Sequence, residues 1–331
     1  MHDPRRKKFF SLFLGSLFLL AVVFFTYTFL WIQTASDTEP VFGITYSWVY
    51  ARQLGLDPRQ TYHDLIEDLQ VRSVRLPLYW SEIEPKQGEF DWTLPDEFIQ
   101  FSQDYEIKLT VVIGAKVPRW PECFIPDWAE QLDPSQKRQA LDSFLEKVVQ
   151  RYKRFPTIIR WQIENEPFFP FGECPNLSQT EFQEHVNLVR SFDDRPIQVS
   201  VSGELGSWSE AARSADILGI SLYRQTWNPF FGYIIYPLTP DYYFFRSHLI
   251  QKFVPQVIIS ELQAEPWFSD SIQSRSLTDW YKMFTVEMFE HNVQFARKTG
   301  LGEVYLWGAE WWYRLKESGD DRLWEAARSL F

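Results

Sequence analysis

A closed barrel of eight parallel strands, each followed by a helix, is the fold class this sequence predicts. Eight short apolar runs, most rich in Val and Ile, recur between residues 41 and 309. Longer amphipathic segments separate them, and no composition break divides the body of the chain. Alternation of this kind over roughly 290 residues is the pattern of a (β/α)8 barrel. A doubly wound open sheet would carry a Gly-rich turn after an early strand, and the sequence has none.

The predicted strands are VFGITYS (41–47), VRSVRLPLY (71–79), KLTVVIGA (108–115), TIIRWQIE (157–164), IQVSVSG (197–203), ADILGISLY (215–223), QVIISEL (256–262) and EVYLWGA (303–309). Each is too short for a typical helix. Between them, Tyr62, Leu65, Ile66 and Leu69 fall at i, i+3, i+4, i+7. Leu141, Phe144, Leu145, Val148, Val149 and Tyr152 sustain that rule for three turns, and Asp133-Pro134 supplies an N-cap with Pro at the first helical position. Further helices are expected near 94–104, 178–192, 206–214, 239–253, 276–299 and 320–330.

Ahead of the barrel (41–331) the sequence predicts a basic cytoplasmic tail (1–8), a transmembrane signal-anchor (9–32) and a polar linker (33–40). Residues 9–32 are 24 in a row without charge, and at about 1.5 Å per residue a helix of that length spans a ~30 Å hydrocarbon core. Arg5, Arg6, Lys7 and Lys8 precede the run and acids follow it, so the barrel is expected outside the cytoplasm. A cleaved signal peptide is the alternative, with small residues at Thr34, Ala35 and Ser36. Either compartment permits disulfides. Cys123 and Cys174 then either pair or stand as two free thiols.

Composition narrows the function. With 33 basic and 44 acidic residues the chain carries −11, and an acidic body argues against a nucleic-acid surface. Two Cys are too few for a disulfide scaffold or a four-thiolate zinc site. All five His lie in the tail or in predicted helices, so neither a His-based metal site nor another cofactor is expected, and the chain is expected to be a monomer. Aromatic residues reach 18%, with 15 Trp.

Barrel sites lie at the C-terminal strand ends. The fourth strand ends in Trp161-Gln162-Ile163-Glu164-Asn165-Glu166-Pro167, and the seventh in Val257-Ile258-Ile259-Ser260-Glu261-Leu262. Two carboxylates on one rim are what glycosidic cleavage needs: one protonates the leaving oxygen, the other attacks the anomeric carbon. Sugars also stack their C–H faces on aromatic rings. Trp80, Trp120, Trp267 and Trp307 are expected as subsite walls, and a carbohydrate as the partner.

Asn165-Glu166-Pro167 after the fourth strand, with Glu261 ending the seventh, resembles clan A of the glycoside hydrolases, most closely its cellulase-type and β-xylosidase-type families. The resemblance covers nearly the whole body. Arg75-Leu-Pro-Leu-Tyr-Trp80-Ser-Glu-Ile-Glu-Pro85, then Gly88-Glu-Phe-Asp-Trp92, also looks like the second-strand signature of that group. It implies a retaining glycosidase with Glu166 as general acid/base and Glu261 as nucleophile. It further implies that Asn165 bonds the sugar 2-hydroxyl, that Arg75 and Tyr223 support the nucleophile, and that Trp307 floors the sugar subsite.

The third strand departs from the pattern. Many cellulase-type members carry a His there, but this chain reads Gly114-Ala115-Lys116-Val-Pro-Arg-Trp120-Pro-Glu122. Lys116 is expected to take a substrate contact instead. Glu310 is expected to contact a sugar hydroxyl, and Glu265 to sit on the rim. Glu164, two residues before Glu166, is expected to point inward beside it by strand alternation, as a partner that raises its pKa or in a salt bridge with Arg75. The rival readings are a non-catalytic glycan-binding barrel at the cell envelope and an aldolase-type barrel using Lys116.

Overall fold

The computed structural model describes residues 15–20, 22, 23 and 39–331. Its barrel strands are β1 (Val41–Thr45), β2 (Ser73–Pro77), β3 (Lys108–Ile113), β4 (Ile158–Ile163), β5 (Ile197–Ser202), β6 (Ile217–Leu222), β9 (Gln256–Gln263) and β10 (Glu303–Trp307). All eight predicted runs become strands. They pair in parallel around a closed ring, β1-β10-β9-β6-β5-β4-β3-β2. After β6 the chain inserts an antiparallel hairpin, β7 (Gln225–Asn228) with β8 (Gly232–Ile235), which the sequence reading left out.

Local chemistry sets the helix starts. Asp57 accepts from the backbone of Gln60 ahead of the helix Pro58–Glu67, and Asp133 caps Pro134–Tyr152 through Ser135 and Gln136. Ser178 and Glu181 close a capping box on Gln179–Arg190. Two expected helices are shorter or divided. The segment expected at 206–214 keeps one turn, Trp208–Ala211. The one expected at 276–299 splits into Leu277–Met283 and Val286–Lys298, because Phe284 leaves the helical region at ψ 94.

Strands buried on both faces need partners for any polar side chain they turn inward. At the N-terminal end of the barrel, Arg160 pairs with Glu303 and donates to Thr110 at 2.9 Å. The Tyr305 hydroxyl bridges Ser73 and Glu303. This network closes the base of the barrel, and the inward residues nearer the other end form the site.

The expected membrane span is corrected. Among the described residues no helix is long and apolar enough to cross a membrane. Of 9–32, residues 15–20, 22 and 23 are helical and the remainder lies outside the described residues, as do the tail (1–8) and most of the linker. A single-pass membrane placement is therefore not carried further. Cys123 and Cys174, left open above, form a disulfide across 51 residues of sequence.

Candidate active site

Glu261 arrives at the barrel mouth through a β-bulge. Ser260 faces inward, its Oγ 2.7 Å from where a Cβ on Gly219 would stand. Strict alternation would then turn Glu261 outward. Between β6 and β9 the register slips, so that Ile220 pairs with Ile259 and Ser221 with Glu261. The extra residue flips the parity. Glu261 is 3% exposed. One carboxylate oxygen accepts from Arg75 at 2.9 Å, the other from the Tyr223 hydroxyl at 3.0 Å.

Arg75, wholly buried, spreads its guanidinium over several acceptors besides Glu261. Nε reaches Gln162 at 2.8 Å, a terminal nitrogen reaches Asn165 Oδ1 at 2.7 Å, and Thr45 lies at 3.4 Å. Ser200 also donates to Asn165 Oδ1 at 3.0 Å. The Asn165 carbonyl is thus taken, and its Nδ2 is buried without a partner.

Glu166 stands in left-handed backbone at φ 45, its N–H held by Ser200 Oγ at 2.9 Å. Its carboxyl accepts from Ser221 at 2.9 Å. Ser221 is the residue registered with Glu261, so the two glutamates converge from β4 and β9 on one small volume. Burial first, then the Glu261 charge, push Glu166 up to about 8, against the Ser221 hydrogen bond and the Lys116 charge. Glu204, up at about 7 mainly through burial, adds to that repulsion. It accepts from the Tyr223 N–H and the Tyr243 hydroxyl, and so fixes the backbone that carries Tyr223.

Several expected positions are corrected. Glu164 does not lie beside Glu166, nor does it pair with Arg75. The strand ends at Ile163, and Glu164 turns at φ 56, so alternation fails there. Its carboxyl accepts from the backbone of Ala115 and Lys116 at 3.2 and 2.6 Å, beneath Gly114. A Cβ on Gly114 would meet that carboxyl carbon at 2.4 Å. Lys116, expected on the substrate, is buried with Nζ on the carbonyls of Glu166 and Phe169 at 3.0 and 2.7 Å, where it holds the loop after β4. Glu310 is fully buried, on Arg119 and the Ser47 N–H, and so is not free for a sugar. Glu265, expected on the rim, is buried on Arg119 and Tyr50. Trp80 is also fully buried, packed on Trp128 and Phe144 with its indole N–H on Glu84, and walls no subsite.

Trp267 packs edge-on against Tyr223 and contacts Phe171, so it stands beside the Glu261 support. Trp120, 62% exposed, lies across from Phe171 on the rim. Trp307 ends β10 as expected, but the Arg119 guanidinium lies 4.2 Å from its ring centre and 3.9 Å from that of Tyr50. Among the described residues, no group of three or more His, Cys, Asp or Glu is arranged to hold a metal ion.

Sequence reasoning missed Arg119, Glu122, Gln162, Ser200, Glu204 and Ser221. Gln162, Ser200 and Ser221 fall on the inward parity of recognised strands, which was signal enough to find them. Arg119 and Glu122 sit in the loop after β3, at φ 89 and 55, where no periodicity reports orientation.

Residues 77–187, about a third of the chain, match the family model for glycosyl hydrolase family 10. The chain is 22% identical over 232 residues to the β-galactosidase BgaA of Clostridium cellulovorans, covering 63% of this chain and 34% of the relative. It thus spans about a third of the length of that curated relative. A cold-adapted β-galactosidase from Rahnella sp. R3 superposes with a TM-score of 0.62 at 11% identity, over 89% of this chain and 56% of the other. The exo-β-1,4-mannosidase Op5Man5 from Opitutaceae bacterium strain TAV5 superposes with a TM-score of 0.54 at 14% identity, over 82% and 53%. At such identities the superpositions speak for the fold. The family match spans Asn165-Glu166-Pro167 and lies within the closed parallel barrel, so over that stretch the chain is similar to the clan A glycoside hydrolases.

Proposed function

We propose that this barrel is a retaining glycosidase of clan A, with Glu261 as nucleophile and Glu166 as general acid/base. The observation that carries the reading is the contrast between two neighbouring carboxyls. Glu261 has a cation on one oxygen and a phenol on the other. Glu166 has a serine, is buried, and is pushed up to about 8. Two titratable groups with environments this different suit opposite roles.

In the first step Glu166 gives its proton to the leaving oxygen, and a Glu261 oxygen bonds to the anomeric carbon as the glycosidic C–O bond breaks. Glu166 is then a carboxylate. In the second step it takes a proton from water, the water oxygen bonds to the anomeric carbon, and the ester to Glu261 breaks. Retention requires the two carboxyls to stand about 5–5.5 Å apart. Asn165, through its free Nδ2, is read as a donor to the sugar. Trp267, Trp307 and Trp120 are read as aromatic surfaces for it. The names of the relatives make aryl β-galactosides and β-mannosides the first substrates to try.

The test uses azide. Glu166→Ala should still release an activated leaving group, stall as the glycosyl-enzyme, and be rescued by azide to a glycosyl azide of retained configuration. Glu261→Ala should lose turnover of every substrate, and any azide product should be inverted. An exchange of those configurations reverses the two roles. If both variants keep wild-type turnover, the glycosidase reading is wrong. Binding of glycans without turnover by the wild type would leave a glycan-binding barrel.

A further inference from the structure

We propose that Glu122 is a further substrate-positioning residue: with the Asn165 amide it grips one hydroxyl of the sugar next to the anomeric carbon, and so sets which sugars are accepted. The proposal rests on the glycosidase reading above.

Two buried polar atoms of opposite kind are left open in this part of the site. Asn165 Nδ2, a donor, has no partner because its carbonyl oxygen is held by Arg75 and Ser200. Glu122 Oε2, an acceptor, has none either, although the residue is 5% exposed. Burial first, then the neighbouring Glu261 and Glu166, disfavour the charged form of Glu122, while Lys116 and the approach of the Asn165 amide as a hydrogen-bond donor favour it. Buried polar atoms are nearly always satisfied. An open donor and an open acceptor beside the reacting carboxyls fit a group that both accepts and donates, which a sugar hydroxyl does.

The loop holds Glu122 in place at some cost. Arg119 and Glu122 both occupy left-handed backbone, which is unfavourable for a residue with a side chain. Glu122 N–H donates to the Arg119 carbonyl at 2.7 Å, and Glu173 N–H to that of Pro121 at 3.0 Å. The Cys123–Cys174 disulfide fastens the next residue. Gly172, at φ 81, lets the loop after β4 pass so closely that a Cβ there would stand 2.8 Å from Glu122 Cβ. Two loops are thus clamped around a side chain that makes no internal bond through Oε2. Burial, then the neighbouring Glu261 and Glu166 carboxyls, push Glu122 well above the ordinary carboxyl range.

The experiment compares kcat/KM for 4-nitrophenyl β-D-galactopyranoside and β-D-mannopyranoside with their 2-deoxy and 3-deoxy analogues. Wild type should prefer the parent strongly at the gripped position. Glu122→Ala should lose about 10- to 100-fold on the parent, the range for one buried hydrogen-bond partner left unpaired, and little on the analogue lacking the gripped hydroxyl. Glu122→Gln, which keeps a donor and an acceptor, should retain the preference. If Glu122→Ala does not fold, Glu122→Asp withdraws the group by one methylene and serves the same comparison. An unchanged parent-to-deoxy ratio at both positions overturns the inference while leaving the glycosidase reading intact. Wild-type turnover that survives Glu261→Ala removes that reading, and this one with it.

Discussion

Ser221→Ala isolates the one hydrogen bond that favours ionised Glu166. Burial and the Glu261 charge push this carboxyl up to about 8, and the Ser221 hydroxyl, 2.9 Å away, works against them. A hydrogen bond to a charged group contributes about 1.5–3 kcal/mol net, and 1.36 kcal/mol is one pH unit of titration. Removing the hydroxyl should therefore move the protonation of Glu166 up by about one to two pH units. Glu166 acts first as an acid, so the basic limb of kcat/KM should follow it upward. At pH 7 the variant and wild type should be nearly alike, and well above pH 8 the variant should be the faster. The assay is kcat/KM between pH 5 and 10 with a phenyl glycoside, whose leaving group needs a proton. The matching 2,4-dinitrophenyl glycoside, whose leaving group does not, should lack the limb in both proteins. A limb that stays put or moves down in the variant would refute the assignment of Glu166 as acid, as would the same limb with the dinitrophenyl substrate.

Stability should fall as pH rises through the range where Glu164 stays protonated only in the folded chain. Its folded pKa is about 7 against an ordinary 4.5. Below 4.5 both states hold the proton; between 4.5 and 7 the unfolded chain releases it and gains about 3 kcal/mol from this group. Thermal unfolding from pH 4.5 to 7.5 should show that loss, and Glu164→Gln should flatten its share of the slope; an identical slope would refute the account. Arg75→Lys should cut kcat/KM by about 100-fold or more, because one ammonium cannot reproduce a fork that serves Glu261, Asn165 and Gln162 together. Activity within threefold of wild type would contradict it. Trp80→Ala should cost about 3–5 kcal/mol in urea unfolding without raising KM, and a raised KM at unchanged stability would return Trp80 to the subsite.

Sequence alone determined the barrel, since Val- and Ile-rich runs of strand length separated by amphipathic helices leave few other ways to bury both faces of a parallel sheet. It also put Glu166 and Glu261 at strand ends, where barrel sites collect, and the resemblance to clan A pointed to Arg75, Asn165 and Tyr223. What it could not supply was direction at the ends themselves. Period-two alternation holds only while the backbone stays extended. At Glu164 and Glu166 the backbone turns left-handed, and at Ser260 a bulge inverts the parity. The same limit explains Trp80, which reads as a rim aromatic but begins the one-turn helix Trp80–Ile83 that turns its ring into the core. Glu122 and Arg119 owe their places to their own left-handed backbone and to a disulfide and a close-passing glycine that join segments distant in sequence. Only the closed ring brings those segments together, and so only the tertiary structure decided which carboxyls meet at the barrel mouth and which hold the loops around it.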